Sequence, residues 1–165
     1  MRDASSRSGL FLIEMILVIL FFSLVTAVCA RLFFAAYETG NESRNLTQAV
    51  MISQNLAEAF YATGGDPDAM NEWFPAANVT GPSENDRIVS GLTQGYDDAW
   101  NELPPDEDGR IGGTFYAMLL VHDRGTLREA EIEIYRHTAK TDDGAPDILY
   151  RLAVSRYAPD EEEAP

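Results

Sequence analysis

A single carboxylate lies inside the long apolar run near the start of the chain. The run extends from Leu10 to Ala30, and Glu14 is its only charged residue. A charge near the centre of a membrane-spanning helix costs about 2.5–3.5 kcal/mol, and less near its end, so a carboxylate at such a position indicates a function by default. That function requires a partner that neutralises the charge of Glu14.

Other residue types that commonly perform chemistry are sparse. His122 and His137 are the only histidines, and neither has Cys, His or carboxylate neighbours at a metal-binding spacing. The lone Cys29 excludes an intrachain disulfide and a cysteine metal cluster. The sequence also lacks a Gly-rich phosphate loop and a nucleophile elbow. We therefore predict no catalytic residue, no cofactor and no metal site.

Two acidic clusters leave a cation site open as an alternative. They are Asp106-Glu107-Asp108 and Asp142-Asp143. Their spacing lacks the alternating oxygen ligands of an EF-hand loop, so solvated turns are the favoured interpretation.

The charge balance excludes one class of partner. The chain has 27 acidic and 12 basic residues, a net charge of −15, and only one of its basic residues is a lysine, Lys140. Nucleic-acid binding requires a clustered basic face that neutralises phosphates. Direct binding to nucleic acid is not expected.

Three interpretations of the apolar run compete. Its length of about 21 residues is enough for a helix that crosses a hydrocarbon core. A cleaved secretory signal would be shorter and would end in a small-x-small site, which Ala27-Val28-Cys29-Ala30 matches only loosely. An ordinary single-pass anchor fits the length but does not account for Gly9 or Glu14. The third interpretation depends on the residues at the start of the run.

Those residues resemble the processing site of type IV prepilins and type II secretion pseudopilins. In that family a short polar leader ends in Gly, a hydrophobic residue becomes the mature N-terminus, and a Glu follows four residues later. The segment Gly9-Leu10-Phe11-Leu12-Ile13-Glu14 has this pattern, after a polar leader that contains Arg2 and Arg7. It departs from the common pattern by having Leu10 where Phe is usual, and by having no proline before Pro67.

The resemblance implies processing followed by assembly. The prepilin peptidase, a membrane aspartic peptidase, would cut between Gly9 and Leu10, and the new amine of Leu10 would be N-methylated. Glu14 would set the assembly register by pairing with the Leu10 amine of a neighbouring subunit. The implied partners are the prepilin peptidase, other pilin or pseudopilin subunits, and an assembly platform protein with its ATPase.

The resemblance also implies a location. The chain would cross the cytoplasmic membrane once, with its leader in the cytoplasm and its C-terminal domain outside, and would join a cell-surface or periplasmic fibre. Charge supports this orientation only modestly, because Arg2 and Arg7 before the run are balanced by Arg31 and Arg44 after it.

The remainder of the chain predicts an α+β, pilin-like fold: one long helix on an antiparallel sheet of three to four strands. Strands are predicted at Tyr96–Leu103, Thr114–Val121, Glu129–Ile134 and Ile148–Tyr157, and a short helix around Ala69–Phe74. Small and apolar residues recur at three- and four-residue steps, which predicts a helix face that covers the sheet. They are Leu46, Ala49, Val50, Ser53, Leu56, Ala57 and Phe60.

These patterns divide the chain into six segments. They are a leader (1–9), a transmembrane and assembly half of the helix (10–36), an amphipathic half (37–62), a connecting loop (63–95), an antiparallel sheet (96–158) and an acidic disordered tail (159–165). The favoured hypothesis is a minor structural subunit of a type IV pilus or type II secretion-like fibre. The alternative is a single-pass, membrane-anchored extracytoplasmic binding module that does not enter a fibre.

Overall fold

The computed structural model describes residues 4–82, 88–137 and 146–158. The helices are α1 (Ala4–Thr63) and α2 (Pro67–Trp73). The strands are β1 (Asn78–Thr80), β2 (Ile88–Tyr96), β3 (Glu102–Leu103), β4 (Phe115–Asp123), β5 (Leu127–Arg136) and β6 (Asp147–Tyr157). The predicted α+β class, with a long apolar N-terminal helix and an antiparallel sheet, is confirmed. The chain divides into two compact units, Met1–Arg44 and Asn45–Pro165.

The first unit contains the apolar part of α1. The large hydrophobic side chains from Leu10 to Tyr37 are all exposed, with fractions between 48% at Met15 and 82% at Phe33. Among the described helices, only α1 is long and apolar enough to cross a membrane. Its length and composition therefore agree with a single-pass anchor.

Two hydroxyl groups in this apolar segment are satisfied within the helix. The hydroxyl of Ser23 donates to the carbonyl oxygen of Ile19, and that of Thr26 donates to the carbonyl oxygen of Phe22, both at 2.8 Å. A hydroxyl bonded in this way does not require water. These two polar residues are thus compatible with a lipid environment.

In the second unit, one face of α1 belongs to the core of the sheet. Its buried residues recur at three- and four-residue steps, as an amphipathic helix requires; they are Ala49, Ser53, Leu56, Ala57, Ala59 and Phe60. The prediction that Leu46 shares this face is wrong, because its side chain is 48% exposed. Each residue turns the helix by about 100°, and Asn45, four residues before Ala49, takes the inward position instead.

Helix α1 ends at two glycines with left-handed backbone. Gly64 has φ 67° and Gly65 has φ 79°, and the N–H of Gly64 donates to the carbonyl oxygen of Phe60 at 2.8 Å. Glycine adopts this conformation without the penalty that a Cβ atom brings. A Cβ atom on Gly65 would also lie 2.8 Å from Cγ1 of Val121 on β4. Both the backbone conformation and the close contact therefore require glycine at this position.

The sheet has the strand order β1-β2-β4-β5-β6, with β3 also paired to β2, and every pair is antiparallel. Apolar residues form a row across four strands: Leu92 is opposite Leu119, Leu119 is opposite Ile132, and Ile132 is opposite Leu152. This row shares one core with the buried face of α1. Of the described strands, β6 pairs with β5 alone.

The start of the sheet differs from the prediction. The stretch 63–95, predicted as a connecting loop, contains α2, β1 and most of β2. Strand β2 carries Ser90, Gly91, Gln94 and Gly95, which are weak strand formers, so its sequence lacks a clear β pattern. Burial on the sheet compensates for weak propensity here, because Ser90 and Gln94 are only 1% and 2% exposed.

The prediction of a continuous strand at Tyr96–Leu103 is also wrong. The chain leaves β2 after Tyr96, turns through Asp97–Asn101, and pairs again with β2 only at Glu102 and Leu103. The sheet consequently has six strands rather than the predicted three to four. The short helix predicted around Ala69–Phe74 is present as α2.

The side chains of β6 do not alternate regularly between the two faces of the sheet. Ile148 is 43% exposed, whereas Leu149, Tyr150, Leu152 and Val154 contact the core. The register of β5 and β6 shifts between Ile134 and Tyr135, and such an irregularity breaks the simple alternation of faces. The predicted tail 159–165 lies outside the described residues.

Candidate functional site

Glu14 lies on an apolar face of α1. Helical spacing places Leu10 one turn before it and Leu17 and Val18 one turn after it, and these side chains line the same shallow groove as the carboxylate. Within the described part of the chain, Glu14 forms no ion pair. The exposed carboxylate is therefore flanked by apolar side chains along one face of the helix, and it has no cationic partner among the described residues.

Gly9 precedes this face and has no conformational reason to be glycine. It lies within α1, and a Cβ atom added there would meet nothing within 4 Å. Glycine in a helix interior is about 1 kcal/mol less favourable than alanine. Neither packing nor backbone geometry requires glycine at position 9, and the same is true of Gly40 later in α1.

Leu10 and Glu14 are the other two residues of the predicted processing and assembly site. Their four-residue spacing places both on one face of α1, and the side chain of Leu10 is 69% exposed. Of the predicted leader, Arg2 lies outside the described residues. The structure thus brings Gly9, Leu10 and Glu14 together on one helix, as any helix of this sequence would.

The described residues of the second unit contain no arrangement of three His, Cys, Asp or Glu side chains that could hold a metal ion. Asp106 instead closes a turn, because its Oδ1 accepts hydrogen bonds from the N–H groups of Asp108 (3.0 Å) and Arg110 (2.7 Å). Asp142 and Asp143 of the other acidic cluster lie outside the described residues.

His122 and His137 occupy ordinary strand-end positions. His122 lies opposite Glu129 in the β4–β5 ladder. His137 follows β5 and has an edge-on contact with the ring of Tyr116, with centroids 6.2 Å apart.

A turn that the sequence analysis missed begins at Asp97. Its carboxylate accepts hydrogen bonds from the N–H groups of Ala99 and Asn101 and from the side-chain amide of Asn101, all at 2.8 Å. The hydrogen bonds from Asn101, that of its side chain first, hold the pKa of Asp97 below its usual value. Asp and Asn four residues apart are typical turn formers, and this pattern was the available signal.

The turn presents Trp100 to the core. Trp100 has a left-handed backbone, with φ 66°, and its ring stacks on Phe115 at a centroid distance of 4.1 Å. Its Nε1–H donates to the side-chain oxygen of Asn45 at 3.1 Å. Through these two contacts, Trp100 connects β4 with the part of α1 that begins the second unit.

Two arginines from the sheet cap the C-terminal end of α1. Arg128 on β5 and Arg156 on β6 are directly opposite each other. Nη1 of Arg128 donates to the carbonyl oxygen of Gly64 at 2.7 Å, and Nη1 of Arg156 donates to that of Tyr61 at 2.8 Å. The last carbonyls of a helix have no intrahelical partner and carry partial negative charge. The sequence analysis did not single out either arginine, because neither has a local motif.

Comparison with known proteins adds no assignment. No protein-family model, no curated protein and no solved structure matches this chain.

Proposed function

We propose that this chain is a structural subunit of a type IV pilus or type II secretion-like fibre, in a minor position. It is made as a prepilin, inserted in the cytoplasmic membrane, and cut between Gly9 and Leu10. The observation that carries the proposal is the combination of an exposed apolar helix, a glycine that the fold does not require, and a lone carboxylate five residues later.

In this proposal, the charge of Glu14 determines which chains can assemble into the fibre. In a fibre the apolar helices leave the lipid and pack against one another, where an unpaired carboxylate is strongly unfavourable. Cleavage creates a new amine on Leu10, and the amine of a neighbouring subunit then neutralises Glu14. A subunit that retains its leader lacks this amine, so the same pair would exclude unprocessed chains from the fibre.

The second unit supplies the head of the subunit. Its core joins the later part of α1 to the antiparallel sheet, which is the arrangement expected of a pilin-like head. In this proposal the chain is itself the substrate of the prepilin peptidase.

The first test is the mass of the mature chain. We expect co-expression with a prepilin peptidase to remove Met1–Gly9 and to add one methyl group to Leu10, both measured by intact-protein and peptide mass spectrometry. Gly9→Ala should leave the chain uncut, because the change prevents recognition of the cleavage site by the peptidase and does not alter the fold. Gly40→Ala is a matched control, since Gly40 is also helical with nothing within 4 Å of an added Cβ atom.

The outcomes separate the proposal from the membrane-anchored binding module. Cleavage of the unmodified chain and of Gly40→Ala, but not of Gly9→Ala, supports the fibre subunit. A full-length, unmethylated chain in the native host assigns α1 to anchoring alone and overturns the proposal.

A further inference from the structure

Arg128 and Arg156 have unused binding capacity at the C-terminal end of α1. A guanidinium group has five N–H donors. Each of these arginines uses one donor in its hydrogen bond to a carbonyl oxygen at the C-terminal end of α1. Of the described arginines that follow α1, these two alone form no ion pair, whereas Arg110, Arg124, Arg136 and Arg151 each have a carboxylate partner. In a chain with a net charge of −15, two adjacent guanidiniums without carboxylates are an exception.

The described carboxylates that neighbour this pair, Asp123 and Asp66, form no ion pair with it and accept hydrogen bonds from the backbone. Asp123 lies opposite Arg128 in the ladder, but its Oδ1 accepts a hydrogen bond from the N–H of Gly125 at 2.7 Å. Asp66 follows the end of α1 and caps α2 through a 2.9 Å hydrogen bond from the N–H of Ala69. The arginine pair is therefore open to a further anion.

An exposed aromatic side chain lies beside the pair. Tyr61 is 49% exposed, its carbonyl oxygen accepts a hydrogen bond from Arg156, and its hydroxyl donates to the carbonyl oxygen of Ser155 at 3.3 Å. Leu127 and Tyr157 are also exposed, but they alternate with the arginines along β5 and β6 and so face the other side of the sheet. A segment that covers Tyr61 would shield the guanidiniums from water and strengthen their pairing.

We propose that Arg128 and Arg156 bind the acidic stretch Asp160–Glu163 of the same chain. The charges are complementary, because four consecutive carboxylates face two guanidiniums that favour bidentate carboxylate binding. The stretch also starts close to the pair. Ala158 is held beside the β5 hairpin by a 3.0 Å hydrogen bond from its N–H to the carbonyl oxygen of Thr126, and Asp160 is only two residues further on.

Proximity selects the same chain over a second copy. Two to five residues beyond Ala158 extend at most about 7–18 Å, which is enough to return to the neighbouring arginines. Such a short connection gives the stretch an effective concentration in the millimolar range or above. The acidic stretch then acts as an intramolecular ligand that links the end of β6 to the end of α1.

The test uses the full-length chain in a non-ionic detergent. Its unfolding in urea is followed by tryptophan fluorescence and circular dichroism. The four acidic residues are neutralised together as D160N/E161Q/E162Q/E163Q, in the unmodified background and in a background carrying Arg128→Gln and Arg156→Gln. We expect neutralisation to lower the folded-to-unfolded ratio roughly three- to tenfold in the unmodified background, as for two partly exposed ion pairs.

The sign of the effect separates binding from a purely structural role of the arginines. If the acidic stretch contacts nothing, removing four negative charges from this chain relieves repulsion and raises the ratio. In the Arg128→Gln and Arg156→Gln background we therefore expect no loss and a small gain. Should that double variant not fold, the single Arg156→Gln variant replaces it.

Controls define what overturns the proposal. Arg110→Gln alters an arginine that pairs with Asp108, and in that background neutralisation should still cause the full loss. About 1 M NaCl should remove the loss by screening. The same loss in the presence and absence of Arg128 and Arg156, or a gain in the unmodified background, overturns the proposal. A loss that depends on protein concentration assigns the contact to a second copy and also overturns it.

Discussion

The environment of Glu14 determines how its replacement should act at the scale of a single residue. Its carboxylate lies among apolar side chains and has no ion-pair partner in the described residues. Within one chain, the charge is a liability in lipid. In the proposed fibre a neighbouring subunit supplies a cation, so we expect Glu14 to contribute to assembly and not to folding.

We predict that Glu14→Ala inserts in the membrane and folds normally but enters fibres poorly. Loss of one member of a buried ion pair leaves the neighbouring amine without a partner, which costs several kcal/mol, so incorporation should fall by about tenfold or more. The measurement is the amount of subunit in sheared or purified fibres relative to the membrane fraction. Glu58→Ala, an exposed change on the second-unit part of α1, should incorporate normally. Equal incorporation of Glu14→Ala would reduce Glu14 to an interfacial charge.

At the scale of the elements, the stability of the second unit depends on the contact between α1 and the sheet. Phe60 is fully buried in the shared core, whereas Met51 on the same helix is 50% exposed. Because both residues are helical, replacing either with alanine changes helix propensity by less than about 0.7 kcal/mol. The pair therefore isolates the contribution of the core contact.

We predict that Phe60→Ala destabilises the second unit by about 3–5 kcal/mol, the usual cost of removing a buried aromatic ring. Met51→Ala should change stability by no more than about 0.5 kcal/mol, as is common for exposed positions. Urea unfolding of the full-length chain in detergent, followed by circular dichroism, measures both. Equal effects of the two substitutions would mean that the helix does not depend on the sheet.

The elements differ in how much of them the sequence could predict. The second-unit part of α1 and strand β5 have a visible period, because each has one buried and one more exposed face, and β4 is a continuous apolar run; both signals are visible without tertiary information. Strand β2 was missed because Gly91 and Gly95 give it no such period. Gly95 is required by a neighbour in space, since an added Cβ atom would lie 2.2 Å from the carbonyl oxygen of Gly112.

The functional residues also differ in how well the sequence could predict them. Gly9, Leu10 and Glu14 are close in sequence, so a short motif was sufficient to find them. Arg128 and Arg156 are 28 positions apart and meet only because β5 and β6 pair. The partner of Trp100 is Asn45, on a different element. Long-range pairs of this kind depend on strand register, which local sequence patterns do not specify.

At the scale of the whole molecule, the fold raises the pKa of two tyrosines, Tyr96 and Tyr135, in a chain of acidic composition. Burial, and then the negative charge of Glu102, raises the pKa of Tyr96 above its ordinary value of 10.0. Burial, and then Tyr116 and Glu133, raises the pKa of Tyr135. A phenol whose pKa is higher in the folded chain than in the unfolded chain stabilises the fold fully below the unfolded pKa. That stabilisation is lost as the pH rises above it.

We predict that the unmodified chain loses stability steadily above about pH 10 and that Tyr96→Phe flattens this decline. Phenylalanine keeps the ring beside Trp100, whose centroid is 5.9 Å away, but it has no proton to lose. Urea unfolding at intervals between about pH 8 and 11.5 gives the slope. Tyr157→Phe, at a side chain that is 66% exposed, controls for loss of a phenol in general. Identical slopes for Tyr96→Phe and the unmodified chain would contradict the prediction.

The outermost position of β6 has a practical consequence for handling this protein. A bare margin of backbone donors and acceptors invites strands of other molecules to continue the sheet. Among the described residues Tyr61 donates to one carbonyl along that margin, at Ser155, and the net charge of −15 makes copies of the chain repel one another. Concentrated stocks should therefore keep best at low ionic strength, where like charges hold the exposed margins apart, and should deposit ordered ribbons when salt weakens that repulsion.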